Sequence, residues 1–194
     1  MFINWAQKEL NLKIVYCGPG LSGKTTNLEQ IYKQIDPAMR GELVMLKTRE
    51  ERTLYFDFLR LELGRIKGLR PKFNLYTVPG QVYYAQSRRI ILRGVDGVVF
   101  VADSQESRMM ENLDSLLDLE ENLIEAGRTL DAFPWVLQYN KRDLHDAMRR
   151  EEMDQKLNFL KAPIVEAVAT EGEGVFDSLK LVINRVIGHV QQVI

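Results

Sequence analysis

A short stretch near the start of the chain has the residue types and spacing of a phosphate-binding loop. It runs from Gly18 to Thr25 as Gly-Pro-Gly-Leu-Ser-Gly-Lys-Thr and fits the pattern G-x-x-x-x-G-K-[ST]. The glycines let successive backbone N–H groups turn inward around a phosphate, because no Cβ blocks the positive-φ conformations that this requires. In this pattern Lys24 reaches the β- and γ-phosphates, and the Thr25 hydroxyl holds Mg²⁺. The loop therefore predicts a triphosphate site; the alternative is a glycine-rich turn without a ligand.

A second polar motif, Asn140-Lys-Arg-Asp143, predicts which nucleotide the loop holds. The Asp143 carboxylate can accept hydrogen bonds from the N1–H and the 2-amino group of guanine. Adenine lacks both donors and would leave a buried carboxylate unpaired, at a cost of about 1–3 kcal/mol. Asn140 can tie this motif to the phosphate loop, and the Lys141 stem can lie over the base. Val168 and the backbone N–H of Ala169 can complete the base pocket. The motif favours guanine, with a solvated turn as the alternative.

Alternating strands and helices must position these motifs. Apolar runs predict strands over residues 12–17, 43–46, 73–78, 97–103, 134–139 and 164–168. Helical spacing and proline stops predict helices over residues 26–35, 83–92, 113–124, 146–160 and 175–190. Segment 47–69 fits neither pattern, because its apolar, aromatic part follows a run of charged residues.

This alternation predicts an α/β fold in one domain, with a mainly parallel six-stranded sheet flanked by helices. Ligands on such folds bind at the carboxyl ends of the strands. Each candidate motif follows a predicted strand, so we expect the motifs to meet at one edge of the sheet.

The composition argues against several other classes of protein. Lys and Arg total 26 against 27 Asp and Glu, and a formal charge of −1 argues against a nucleic-acid binder. No run reaches the roughly 18 uninterrupted apolar residues of a membrane span, and the first residues lack the pattern of a signal peptide. Cys17, the single cysteine, lies in a predicted strand and is expected to serve packing. We therefore expect a cytoplasmic protein that does not insert into a membrane.

The order of the motifs resembles that of the Ras-like small GTPases, and the longer segments are similar to the bacterial MglA family of polarity and gliding-motility GTPases. The resemblance covers nearly the whole chain. Besides the two loops, the segments that carry it are residues 51–59 (ERTLYFDFL), 75–81 (LYTVPGQ), 87–97 (SRRIILRGVDG) and 100–104 (FVADS). It implies one P-loop GTPase (Ras-like) domain over residues 1–194, which acts as a molecular switch that hydrolyses GTP to GDP and phosphate.

The resemblance also implies roles for single residues. The hydroxyls of Thr25 and Thr53 would ligate Mg²⁺, Thr53 from a switch loop that orders around a γ-phosphate. Gln81 matches the glutamine that orients the attacking water, and the Gly80 N–H would contact the γ-phosphate. Arg52 matches an arginine finger supplied in cis and moved by a partner, with a solvated arginine as the alternative. The expected catalytic residues are Gln81, Arg52 and Lys24. The expected contacts in the first loop are Gly18, Pro19, Gly20, Leu21, Ser22, Gly23, Lys24, Thr25 and Thr26.

One departure from the Ras-like pattern lies at Thr77, which replaces the aspartate that usually holds the metal through water. The surroundings of Mg²⁺ would then be less negative, which leaves the metal affinity open.

The resemblance further implies partners besides GTP and GDP. These are an activating Roadblock-fold dimer of the MglB type, and effectors of cell polarity and motility at a cell pole. Two other functions stay open. One is a guanine-nucleotide-binding scaffold with negligible turnover, which Gln81 and Arg52 disfavour and Thr77 allows. The other is a small-molecule kinase, which the Asn140–Asp143 motif and the lack of an evident lid disfavour.

Overall fold

The computed structural model describes residues 1–47, 53–80 and 85–193. Within these ranges the chain forms eight strands and five α-helices. The strands are β1 (Phe2–Asn4), β2 (Glu9–Cys17), β3 (Val44–Lys47), β4 (Thr53–Glu62), β5 (Arg70–Thr77), β6 (Gly97–Asp103), β7 (Trp135–Asn140) and β8 (Ile164–Ala167). The helices are α1 (Lys24–Gln34), α2 (Ala85–Leu92), α3 (Met109–Glu125), α4 (Arg150–Leu157) and α5 (Val175–Val193).

All the described strands belong to one sheet, in the order β3-β4-β5-β2-β6-β7-β8, with β1 paired to β2. The strands β5, β2, β6, β7 and β8 run parallel, whereas β1, β3 and β4 pair antiparallel with their neighbours. The predicted α/β class is confirmed, but the predicted number of six strands is wrong, because the described residues alone contribute eight strands to the sheet. The two missed strands are β1, which is only three residues long, and β4, whose apolar part directly follows a run of charged residues.

The core lies on both faces of the sheet, because successive side chains of a strand point to opposite faces. On β2, Leu12 and Ile14 belong to the cluster that α1 and α5 cover. Val15 and Cys17 belong to the cluster that α2, α3 and α4 cover. The strand β6 is buried along its whole length, as expected of a strand that helices cover on both faces.

The predicted ends of several elements differ from the observed ones. The strand β2 begins at Glu9 and not at residue 12, because β1 pairs with its first residues. The helix α4 spans Arg150–Leu157 and not residues 146–160. It stops there because the Asn158 side chain bonds to the backbone N–H and carbonyl of Ala162, at 2.7 and 3.0 Å. Among the described residues, no helix is long and apolar enough to cross a membrane.

The carboxyl ends of the parallel strands meet at one edge of the sheet. The loop from Gly18 follows β2, Gly80 comes shortly after β5, and the motif that begins with Asn140 lies at the end of β7. Val168 and Ala169 follow β8. The predicted motifs therefore share one edge, where ligands of α/β folds bind.

Candidate functional site

The phosphate loop has backbone positions that only glycine fits. Gly18 has a φ of 135°, and a Cβ there would lie 2.2 Å from the carbonyl oxygen of Val101. Gly23 has a φ of 102°, and a Cβ would lie 2.2 Å from Nδ2 of Asn140. Leu21 holds a φ of 64° without being glycine, and its side chain is exposed. Strained positions of this kind concentrate at ligand sites.

The ammonium of Lys24 lies inside this loop. It donates to the carbonyl oxygens of Gly18 at 3.0 Å and Pro19 at 2.5 Å, and the residue is 6% exposed. Burial lowers the pKa of Lys24 from 10.5 to about 8, because the protonated form loses solvation. A buried cation whose hydrogen bonds go to neutral carbonyls is well suited to receive an anionic polyphosphate.

A buried carboxylate stands beside Thr25. The Thr25 hydroxyl donates to Oδ2 of Asp57 at 2.5 Å, and the Thr77 hydroxyl donates to the same oxygen at 2.8 Å. The backbone N–H of Asp57 donates in turn to the Thr77 hydroxyl at 2.9 Å. Asp57 and Thr77 are both fully buried, and they lie on the paired antiparallel strands β4 and β5. This edge of the sheet therefore carries the Asp57 carboxylate in addition to the Thr77 hydroxyl.

Sequence reasoning missed Asp57. The available signal was a single acidic residue inside the apolar segment 53–59, since an ionised group is buried only with polar partners or a counter-charge. Hydroxyl and carboxylate oxygens are the ligands that Mg²⁺ prefers, usually few in number and completed by phosphates and water. The described residues contain no group of three His, Cys, Asp or Glu that could enclose a metal. Thr25 and Asp57 therefore fit a Mg²⁺ bound together with a nucleotide.

Gly80 lies directly against the phosphate loop. A Cβ on Gly80 would lie 2.3 Å from the backbone nitrogen of Gly20 and 2.4 Å from the carbonyl carbon of Pro19. This close approach requires glycine, and it brings the segment after β5 next to the loop that receives the phosphates.

The second motif joins the phosphate loop as predicted. The Asn140 side chain donates through Nδ2 to the carbonyl of Ser22 at 2.8 Å, and its Oδ1 accepts from the backbone N–H of Ala169 at 2.9 Å. Asn140 is buried, and it fixes three loops relative to one another. Because the Ala169 N–H donates to Asn140, the contact of this group with a base stays a prediction. The Val168 N–H donates to the carbonyl of Glu173 at 3.1 Å.

A cleft of about 300 Å³ opens beside this junction. Its lining includes Leu21, Thr26, Asn140, Lys141, Asp143 and Ala169. The Asp143 side chain is exposed. The Lys141 ammonium donates to Oδ2 of Asp103 at 2.6 Å, and Asp103 is fully buried. The cleft therefore carries a carboxylate and a lysine stem next to the phosphate loop. The Asp143 carboxylate is exposed here and not buried as the guanine argument assumed, so its contact with guanine stays a prediction.

The structure describes three of the predicted site residues only in part or not at all. Arg52 and Gln81 lie outside the described residues. The backbone of Thr53 begins β4, where it pairs with Lys47. The roles of these three residues therefore rest on the sequence.

The chain is similar to known proteins along almost its whole length. The sequence profile of the ADP-ribosylation factor family matches residues 1–186. The mutual gliding-motility protein MglA of Myxococcus xanthus is 53% identical over 191 residues, which are 98% of each chain. The Ypt/Rab-type GTPase Rab7 of Neurospora crassa is 26% identical over 183 residues, which are 91% of this chain and 82% of the relative. The Ypt/Rab-type GTPase ypt7 of Pyricularia oryzae has the same identity and coverage.

Proposed function

The chain belongs to the ADP-ribosylation factor family of small GTPases, and we propose that its GTP cycle regulates cell polarity and gliding motility. It is a molecular switch that binds GTP and hydrolyses it to GDP and phosphate. The biological role is supported by 53% identity to a mutual gliding-motility protein over 98% of the chain. The observation that carries the nucleotide assignment is the pair of hydrogen bonds in which the Asn140 side chain donates to the Ser22 carbonyl and accepts from the Ala169 N–H.

The triphosphate lies in the loop from Gly18 to Thr26 in this proposal. Backbone N–H groups of the loop and the positive end of α1 contact the phosphate oxygens. Lys24 neutralises the β- and γ-phosphates, and their negative charge in turn favours the protonated form of Lys24, which burial disfavours. The Gly80 N–H contacts the γ-phosphate, consistent with the close approach of Gly80 to Gly20.

The metal is Mg²⁺, held by the hydroxyls of Thr25 and Thr53. The Asp57 carboxylate accepts a hydrogen bond from the Thr25 hydroxyl. It supplies the negative charge that an aspartate at position 77 supplies in the Ras-like pattern. When bound, the ion neutralises charge on the β- and γ-phosphates. A neutral Thr77 therefore does not by itself predict weak Mg²⁺ binding, because Asp57 on β4 provides a carboxylate next to Thr25.

The base lies in the cleft that Asp143 lines. The Asp143 carboxylate accepts from the N1–H and 2-amino groups of guanine, and the Lys141 stem covers one face of the ring. Asn140 holds this loop to the phosphate loop, and Val168 and Ala169 close the pocket. A pocket so built disfavours adenine, because the carboxylate would be left without a donor.

Hydrolysis needs a positioned water and compensation of charge. The water oxygen attacks the γ-phosphorus, the bond from this phosphorus to the β–γ bridging oxygen breaks, and GDP leaves with the electron pair. Gln81 orients the water, and Arg52 approaches the γ-phosphate as a cis arginine finger. Both roles rest on the sequence pattern around Thr53 and Gly80.

The partners belong to the same proposal. We expect an activating Roadblock-fold dimer of the MglB type and effectors that read the GTP form at a cell pole. The scaffold alternative, which binds GTP without turnover, loses its main support because Asp57 offsets the absence of an acid at Thr77.

Two experiments test this function. Single-turnover assays with GTP and with ATP, in Mg²⁺ or in EDTA, should give slow hydrolysis of GTP alone and only with Mg²⁺. Bound but uncleaved GTP, even with an activating partner, would favour the scaffold.

Expression in a Myxococcus xanthus strain that lacks its mutual gliding-motility protein should restore gliding. Failure at normal protein levels would count against the proposed role in motility.

A further inference from the structure

An arginine from outside the predicted motifs contacts the phosphate loop. Arg108 lies directly before α3, and its Nη2 donates to the carbonyl oxygen of Gly20 at 2.8 Å. The two residues are 88 positions apart. The carbonyls of Gly18 and Pro19 bind Lys24, whereas the next carbonyl binds Arg108. The carbonyls of Gly18 and Pro19 thus face the Lys24 ammonium, and the carbonyl of Gly20 faces the Arg108 guanidinium.

The guanidinium of Arg108 is fixed by acidic groups on its other sides. Both carboxylate oxygens of Glu111 contact it. Its Nε also lies 3.8 Å from Oδ2 of the fully buried Asp103. The side chain of Arg108 is 26% exposed. A cation held by two carboxylates and aimed at one backbone carbonyl sets the orientation of that peptide group.

The orientation of the Gly20 carbonyl determines the direction of the Leu21 N–H. Both belong to one peptide group, and in a trans peptide the C=O and N–H bonds point in opposite directions. None of the peptide bonds of the described residues is cis. Among residues 1–47, 53–80 and 85–193, no acceptor receives the Leu21 N–H. Leu21 also holds its strained φ of 64° at this point.

We propose that Arg108 is a positioning residue for GTP hydrolysis, which holds and polarises the Gly20–Leu21 peptide so that the Leu21 N–H points at the phosphates. This inference rests on the proposed function. When the bond to the γ-phosphorus breaks, negative charge collects on the bridging oxygen of GDP. A fixed N–H dipole aimed at such charge lowers the barrier, and a cation on the carbonyl of the same peptide strengthens the donor.

The test compares hydrolysis with binding in Arg108→Gln. Removal of a whole donor to developing charge lowers rates by about 10²–10³-fold. In Arg108→Gln the Leu21 N–H is still present but is held less firmly in position, so we expect single-turnover GTP hydrolysis to fall about tenfold. The affinity for a fluorescent GDP analogue should change by less than about threefold, because ground-state contacts remain. Arg108→Lys keeps one charged donor and should give an intermediate rate.

Arg149→Gln is the matched control. Arg149 pairs with Glu152 at the spacing i,i+3, as Arg108 pairs with Glu111, but it lies on the surface before α4. Its hydrolysis and melting temperature should match those of the wild type. An Arg108→Gln protein that hydrolyses GTP at the wild-type rate would overturn the inference and leave the function intact. Equal losses in rate, GDP affinity and melting temperature would reduce Arg108 to a structural role. A wild-type protein without GTP hydrolysis would instead contradict the function on which the inference rests.

Discussion

The Thr25 hydroxyl donates a hydrogen bond of 2.5 Å to the Asp57 carboxylate, although the two residues are 32 positions apart on α1 and β4. The same carboxylate oxygen accepts from Thr77 on the neighbouring strand. An acidic group therefore lies beside the threonine that we propose as a metal ligand, but it comes from the antiparallel strand β4 and not from the end of β5. The buried carboxylate next to Thr25 thus lies on β4, whereas the residue at position 77 on β5 is neutral.

Asp57→Asn should weaken metal binding selectively. The substitution keeps the shape of the side chain and removes its charge, and loss of an outer-shell partner typically lowers metal affinity 10–100-fold. We expect release of a fluorescent GDP analogue in Mg²⁺ to accelerate at least about tenfold, with little change in EDTA. Thr77→Val should have a smaller effect, and Asp114→Asn on the exposed side of α3 none. Equal acceleration with and without Mg²⁺ would assign Asp57 a purely structural role.

Gln81→Leu and Arg52→Ala should each slow hydrolysis while GTP affinity stays near normal. An arginine finger contributes about 10³–10⁵ to the rate once it is in place, so the loss for Arg52→Ala should be largest with an activating partner present. Rapid-quench or phosphate-release assays measure the rate, and fluorescence titration measures affinity. Arg49→Ala is the matched control from the same charged run. If either variant no longer binds GTP, its proposed role in hydrolysis is wrong.

Asp143→Asn should change the base preference from guanine to xanthine. Xanthine carries an acceptor oxygen where guanine has its 2-amino group, and an asparagine amide can donate to it. Each lost charged hydrogen bond corresponds to about 1.5–3 kcal/mol, so GTP affinity should fall at least about tenfold while XTP affinity rises. Competition titrations measure both, with ATP as the unchanged reference. A variant that keeps its preference for GTP would remove Asp143 from the base pocket.

Nucleotide affinity should fall as the pH rises above about 8. Burial lowers the pKa of Lys24 from 10.5 to about 8, and a bound polyphosphate would raise it again because it favours the charged form. Binding then takes up a proton wherever the free protein has lost one, so the affinity decreases toward higher pH. From pH 7 to 8.5 the expected decrease is about fourfold. Calorimetry in two buffers of different ionisation enthalpy measures the uptake directly. Constant affinity with no proton uptake at pH 8.5 would contradict this account of Lys24.

The sequence predicted those parts of the site that belong to recognisable motifs. The glycine positions at Gly18 and Gly23 follow from a motif whose geometry is set within a few residues. The contact of Asn140 with the phosphate loop spans 118 positions, but both of its ends lie in motifs. The α/β class follows likewise from the alternation of apolar runs. The eight-stranded sheet was not predicted, since β1 is short and the apolar part of β4 directly follows a run of charged residues.

The residues that were missed act across the fold. Asp57 reaches Thr77 over 20 positions and Thr25 over 32, and Arg108 reaches Gly20 over 88. No periodicity or motif links such pairs, because the sheet order that brings them together is fixed by packing on both faces.

The most direct test of the central claim is a calorimetric titration of the purified protein with GDP, GTP and ATP in Mg²⁺. The account holds that the phosphate loop and the Asn140–Asp143 loop bind the two ends of one guanine nucleotide. It predicts one site per chain, with guanine nucleotides bound at least about a hundredfold more tightly than ATP, since two donors to Asp143 are lost with adenine. Comparable affinity for ATP, or no binding of guanine nucleotides at all, would contradict it.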